Sequence, residues 1–234
     1  MHKVWKRLPI KYRNVFHLTL HRFNSVQVLL KISRFRHNVT VARLNRVTYP
    51  MNLRLGESRQ FKGWISTNYQ VLSRNFLDAT KPFGAGICQY IFADNVIEHI
   101  DRDDGLNLLK SSFRALKPGG ILRLATPDLE EISRRYLTRL SIDLKDFAKD
   151  MEPHGLEVET HPDLLRITFT SFGHEKGFIY DFPTLKAQLE KAGFQSVTKF
   201  QPGKSLTPAL MDLETRVGKS DSWSQMAIEA TKPI

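Results

Sequence analysis

A single cysteine, Cys88, is all that the 234 residues contain. An intramolecular disulfide is therefore excluded, and so is a cysteine-built zinc site. The scarcity suits a reducing compartment. No run of about 18 apolar residues occurs, which argues against a membrane-crossing helix. The start lacks the uninterrupted apolar stretch and small-residue cleavage site of a secretory signal, so a cytoplasmic location is expected. Acid is missing from the first 56 positions, and so is glycine before Gly56. There is no internal repeat and no low-complexity tract.

What is present belongs to a globular chain: 41% of the residues are hydrophobic and 25% charged, which argues against disordered or fibrous classes. The net charge of +11 is unevenly placed. Twelve of the 35 Lys and Arg residues precede Glu57, leaving 23 bases against 24 acids in the remainder. All of the excess charge thus sits in an N-terminal arm, residues 1–48, and the body, residues 49–234, is close to neutral. The two join near Thr48-Tyr49-Pro50. The arm holds four of the eight histidines. Its stretch 15–32 places Phe16, Leu20, Phe23 and Leu30 near one face of a helix, although Val28 and Ile32 interrupt the polar side.

Beyond the arm, short apolar runs alternate with amphipathic stretches. Strands are expected at 51–55, 64–67, 87–93, 121–125, 195–200 and 224–230. A helix is expected over 101–117, opened by Asp101 and Asp103, striped by Leu106, Leu109, Phe113 and Leu116, and stopped by Pro118-Gly119-Gly120. A second runs over 181–191, with Asp181 as its N-cap, Phe182, Leu185, Leu189 and Ala192 as its buried stripe, and Gly193 as its stop. Strand, helix and strand in succession imply an α/β fold, a mostly parallel sheet with helices on both faces. Ligands bind such sheets at the carboxyl ends of the strands. That rule selects Gly56 to Ser58, Asn68, Asp78, Asp94-Asn95 and Thr126 to Asp128.

Several of these stretches carry a resemblance. They are Asn52-Leu-Arg-Leu-Gly-Glu-Ser58, Gly63-Trp-Ile-Ser-Thr-Asn68 and Leu77-Asp-Ala-Thr-Lys-Pro-Phe83. Tyr90-Ile-Phe-Ala-Asp-Asn-Val-Ile-Glu-His-Ile100 and Leu116-Lys-Pro-Gly-Gly-Ile-Leu-Arg-Leu-Ala-Thr-Pro-Asp128 add to them. Together they resemble a class I S-adenosylmethionine-dependent methyltransferase over roughly residues 51–234. The late stretch Gly173-His174 to Tyr180-Asp181 is similar to a branch associated with bacterial surface polysaccharides. The resemblance implies a Rossmann-like, seven-stranded sheet, S-adenosylmethionine as cofactor, and a glycan or glycolipid-type acceptor methylated on oxygen.

On that resemblance the cofactor-binding candidates are Gly56, Ser58, Asn68, Asp78, Asp94 and Asn95. Gly56 ends the first strand and lets backbone approach a ligand. The family usually has a second glycine two positions on, where this chain has Ser58. It usually has an acid on the ribose hydroxyls, where this chain has Asn68. An amide accepts without charge assistance, at a cost on the order of 1–2 kcal/mol. Asp78 matches the adenine position, and Asp94-Asn95 would lie beside the sulfonium and the acceptor. Each also has an ordinary reading as a turn or cap residue. The catalytic candidates are His99, as general base for a hydroxyl, His174 and Asp128. The same three also read as a structural histidine, a substrate-binding or inert histidine, and a helix cap. None of this invokes a metal.

Methyl transfer from a sulfonium asks the protein mainly for orientation and desolvation, so the lack of an evident triad does not exclude an enzyme. The alternative is a methyltransferase-fold scaffold without catalysis. For the arm, a tether to an anionic membrane at its inner face stands beside a helix packed on the body or used for homodimerisation. Nucleic-acid binding finds no supporting motif.

Overall fold

The computed structural model describes residues 50–56, 62–67, 84–138, 144–219 and 221–234. These belong to the second of two units, Met1–Val47 and Thr48–Ile234. The arm, Ser58, Asn68 and Asp78 lie outside the described residues.

Strands β1 (Met51–Leu55), β2 (Ile65–Thr67), β3 (Cys88–Asp94), β4 (Leu116–Pro127), β5 (Gln195–Phe200) and β6 (Gln225–Thr231) form one sheet, ordered β2-β1-β3-β4-β6-β5. β1 pairs in parallel with β2 and β3, and β3 with β4; β6 runs antiparallel to both β4 and β5. The architecture is the Rossmann-like α/β arrangement expected from the alternation of strands and helices. The strand count differs: six are present among the described residues rather than seven.

Among the described residues five α-helices accompany the sheet: α1 (Arg102–Ala115), α2 (Leu129–Thr138), α3 (Leu144–Met151), α4 (Pro162–Thr170) and α5 (Phe182–Lys191). The Asp101 carboxylate caps α1 by accepting from the Asp104 amide at 2.8 Å, and Asp181 caps α5 through the Thr184 amide at 2.8 Å, satisfying donors that a helix start leaves open. The buried stripe of α1 is rotated from the expected one. Gly105, Leu108, Leu109, Ser112 and Ala115 face inward, while Leu106 and Phe113 are half-buried. Small residues let α1 lie close to its neighbours: Tyr180 Oη reaches to the space a Gly105 side chain would need. The helix also stops two residues early, at Ala115, because Leu116 already pairs with Cys88 in the sheet.

Side chains alternate between the two faces of the sheet. Leu53, Leu55, Ile91, Ala93, Leu122, Leu124, Ile228 and Ala230 share one face and are at most 2% exposed. The other face carries a row running Arg54, Phe92, Arg123, Glu229 across four neighbouring strands. The connection between β5 and β6 covers this row. Arg54 donates to the Leu213 carbonyl at 3.5 Å, the Thr215 amide donates to Asp94 at 2.9 Å, and Arg123 Nε donates to Glu214 at 2.7 Å. A separate apolar cluster of Phe147, Met151, Leu164 and Ile167 joins α3 to α4. Among the described residues no helix is long and apolar enough to cross a membrane.

Candidate active site

The carboxyl ends of β3 and β4 open onto a cavity of about 280 Å³. One wall is apolar, with Ile132 from α2, Phe147 and Met151 from α3, Ile167 from α4, and Phe172 beyond it. The other is polar: Asn95, Glu98 and His99 follow β3, His174 comes from the turn after α4, and Arg216, Asp221 and Gln225 precede or begin β6.

The polar wall begins where β3 leaves the sheet. The Asn95 amide continues the ladder by donating to the Ala125 carbonyl at 2.9 Å, and Asn95 then takes a left-handed conformation with φ 51°. Asparagine tolerates that region better than most residues. Its side-chain amide donates to Glu98 Oε1 at 2.6 Å and to Gln225 Oε1 at 3.0 Å. Thr126 Oγ1 donates to Glu98 Oε2 at 3.2 Å. Glu98 is fully buried, and burial pushes its carboxyl up to about 7, because the charged form is the one that loses hydration.

Two short turns bring the histidines together. Ile97–His99 carries His99, and His174–Lys176 carries His174. Their rings lie 4.7 Å apart between centroids. A side chain on Gly177 would collide with the Glu98 carbonyl oxygen, so glycine there is what lets the second turn close on the first. His174 Nδ1 lies 2.7 Å from the Thr168 carbonyl. A carbonyl only accepts, so Nδ1 carries the proton and Nε2 is left with a lone pair. Burial holds both imidazoles below their usual range. One donor atom from each of Glu98, His99 and His174 lies within 4.8 Å of the other two.

Of the three catalytic candidates, the fold thus joins His99 and His174 and places Asp128 elsewhere. The Asp128 carboxylate accepts from the Glu131 amide at 3.4 Å and pairs with Lys199 at 2.5 Å, a cap-and-pair role. Of the six cofactor candidates, Gly56, Asp94 and Asn95 are described. Gly56 has φ 76°, and a side chain there would collide with Val96. Asp94 Oδ2 accepts from the Thr215 amide and from Arg54 at 3.3 Å. Its Oδ1 is buried without a partner, and burial raises the carboxyl above the usual range. An orphaned carboxylate oxygen beside a left-handed glycine fits a cationic ligand with a hydrogen-bond donor.

Sequence reasoning passed over Glu98 as a partner of the histidines, and it missed Arg216, Asp221, Gln225 and the apolar wall. For the wall a signal exists: Leu144, Phe147 and Met151 fall at helical spacing. For Glu98 the evidence is tertiary: its partner Thr126 lies 28 residues farther along the chain, and Asn95, its other partner, also donates to Gln225 at the start of β6.

Residues 32–199 match the family described as Methyltransferase domain. None of the curated proteins matches the sequence. Among solved structures, an S-adenosylmethionine-dependent methyltransferase from Thermotoga maritima is similar at 15% identity and TM-score 0.42, over 93% of this chain and 99% of that one. One from Archaeoglobus fulgidus is similar at 17% identity and TM-score 0.43, over 84% and 94%. Human N-acetylserotonin methyltransferase is similar at 12% identity and TM-score 0.44, over 80% and 48%. The chain spans about a third to a half of the length of several other matched structures.

Proposed function

The chain belongs to the methyltransferase domain family, and from that premise we propose that it transfers a methyl group from S-adenosylmethionine to a hydroxyl oxygen of a glycan or glycolipid-type acceptor held in the cavity beside β3 and β4. The observation that carries this reading is the pairing of His99 and His174, with Glu98 behind them, on the polar wall of that cavity. Asp94 Oδ1 is the acceptor for a donor's positive charge, and Gly56 admits its backbone-facing part. S-adenosylmethionine, when bound, supplies an already activated methyl group. The protein's own work is then to orient the acceptor oxygen, exclude water and take up the hydroxyl proton. His174 Nε2 has the lone pair for that last task. The apolar wall suits a ring face or an alkyl portion, and the polar wall suits hydroxyls; together they support a glycolipid over a free sugar. The basic arm, through Phe16, Leu20, Phe23 and its Lys and Arg residues, would hold the enzyme at an anionic membrane surface where such acceptors reside.

Titration calorimetry with S-adenosylmethionine tests the premise. Binding is expected, tightened about tenfold in Asn68→Asp by the charge-assisted ribose contact. Absence of heat at millimolar cofactor leaves the scaffold alternative standing. Release of S-adenosylhomocysteine with a panel of glycolipids, and not with matched N-acceptors, tests the acceptor. Deleting residues 1–46 should abolish binding to anionic liposomes while calorimetry with cofactor is unchanged.

A further inference from the structure

We propose that Glu98, His99 and His174 form a binding site for a divalent transition-metal cation that opens onto the cavity and takes an acceptor oxygen as a further ligand. The first half stands on geometry alone; the second rests on the reading of the cavity as the acceptor site, and a metal there takes the His174 Nε2 lone pair, so that an acceptor hydroxyl bound to the metal would be acidified by it and would lose its proton to solvent rather than to His174. Two imidazoles and one carboxylate make a donor set that suits zinc, iron, cobalt, nickel or manganese, and that leaves coordination positions open. Magnesium and calcium prefer all-oxygen shells. The donor atoms already converge within 4.8 Å of one another, and all three residues line the same cavity.

The surroundings are those of a ligand set rather than of three stray polar residues. Ligating histidines characteristically give their other ring nitrogen to a backbone carbonyl or carboxylate, which fixes tautomer and ring orientation. His174 does so toward Thr168 at 2.7 Å. Ligating carboxylates are themselves hydrogen-bonded; Asn95 and Thr126 anchor the two oxygens of Glu98, which keep further lone pairs free. Arg216, on the same cavity wall, is ion-paired with Asp221, which offsets part of the repulsion its charge exerts at His174. The Gly177 contact locks the two turns that carry the three ligands.

The test is calorimetric titration of the chelator-treated full chain with Zn²⁺, repeated with His99→Ala, His174→Ala and the size-conserving His174→Gln. Four histidines lie in the arm, so the decisive reading is the difference between wild type and variants. One tight equivalent is expected in the wild type. Each variant should weaken it by at least about tenfold, the effect that even outer partners of a metal site show, while His154→Ala and His161→Ala bind as wild type does. Co²⁺ should give visible bands of nitrogen and oxygen ligation without a thiolate transition. Thermal unfolding and S-adenosylmethionine binding are read on the same samples to show that the variants are folded. Cofactor binding with no Zn²⁺ site, or with a Zn²⁺ site indifferent to His99 and His174, overturns the metal proposal. A Zn²⁺ site sensitive to both histidines in a chain that binds no cofactor sustains it and overturns the methyltransferase reading.

Discussion

The two faces of the central sheet solve the same problem by opposite means. One packs Leu53, Leu55, Ile91, Leu122, Leu124 and Ile228 at near-zero exposure. It is held by transfer from water and dispersion, which are non-directional. The other buries Arg54, Arg123, Asp94, Glu214 and Glu229. Charges taken from water repay their desolvation only when geometry is good and their remaining hydrogen-bond positions are satisfied. Here the arrangement has a purpose. Arg54 and Arg123, on β1 and β4, tie down residues 213–215, and the same segment clamps Asp94 at the tip of β3. The apolar face supplies cohesion, and the charged face fixes where the ends of β1 and β3 meet the connection that covers them.

The strongest way to break this comparison is Arg123→Ala. It leaves Glu214 and Glu229 buried without their shared cation, and about 3–5 kcal/mol of stability should be lost, read by urea unfolding with cofactor binding as a second measure. Leu124→Ala on the opposite face should cost about 2–5 kcal/mol through transfer and cavity terms. It should leave cofactor affinity in the folded fraction unchanged, because no charged contact is disturbed. If Arg123→Ala costs less than Leu124→Ala and leaves cofactor binding intact, the positional role of the charged face is wrong.

These contrasts were unequally legible in the sequence. The apolar face was readable because its residues recur at every second position in short runs, and the six described strands overlap the expected ones, β4 reaching back through Pro118-Gly119-Gly120 to Leu116 where a helix end and stop are expected. Arg54 and Arg123 sit inside two of the runs, yet nothing local distinguishes a buried arginine from a solvated one. Its partners lie far along the chain, at Glu214 and Glu229. The capping aspartates 101 and 181 were legible because a cap acts within four residues. The site was half legible. His99 and His174 were picked out as candidates, but the link between them passes through Gly177 against the Glu98 backbone, a contact that only the fold creates.

Cys88 sharpens the comparison from the side of the core. It is fully buried at the start of β3, and burial pushes its thiol up to about 12. The thiolate is the reactive species, so the native chain should be labelled by a thiol reagent at pH 8 at least about a hundredfold more slowly than the unfolded chain. The chain has no other cysteine, which makes the signal unambiguous. Arg123→Ala and Leu124→Ala should both accelerate labelling, by about tenfold for each 1.4 kcal/mol of stability lost. Fast labelling of the wild type would mean that the interior is not sealed.

The smallest effect belongs to the outer surface of α2, where the geometry of the buried network is repeated with its signs exchanged. Glu131 accepts from Arg134 at 2.7 Å and Arg135 at 2.6 Å, as Arg123 reaches Glu214 and Glu229. Water makes the difference. The side chain of Arg134 is 47% exposed and that of Glu131 24%, so solvent screens the attraction, and the hydrogen bonds from Arg134 lead in holding the Glu131 carboxyl down to about 2. A depressed acid stabilises the fold above its unfolded value, ordinarily 4.5, and that contribution disappears as pH falls from about 4.5 toward about 2. Glu131→Gln should therefore cost no more than about 1 kcal/mol at neutral pH, shrink further in high salt, and cost nothing once the pH is below about 2. A loss comparable to that of Arg123→Ala would show that burial is not what separates the two networks.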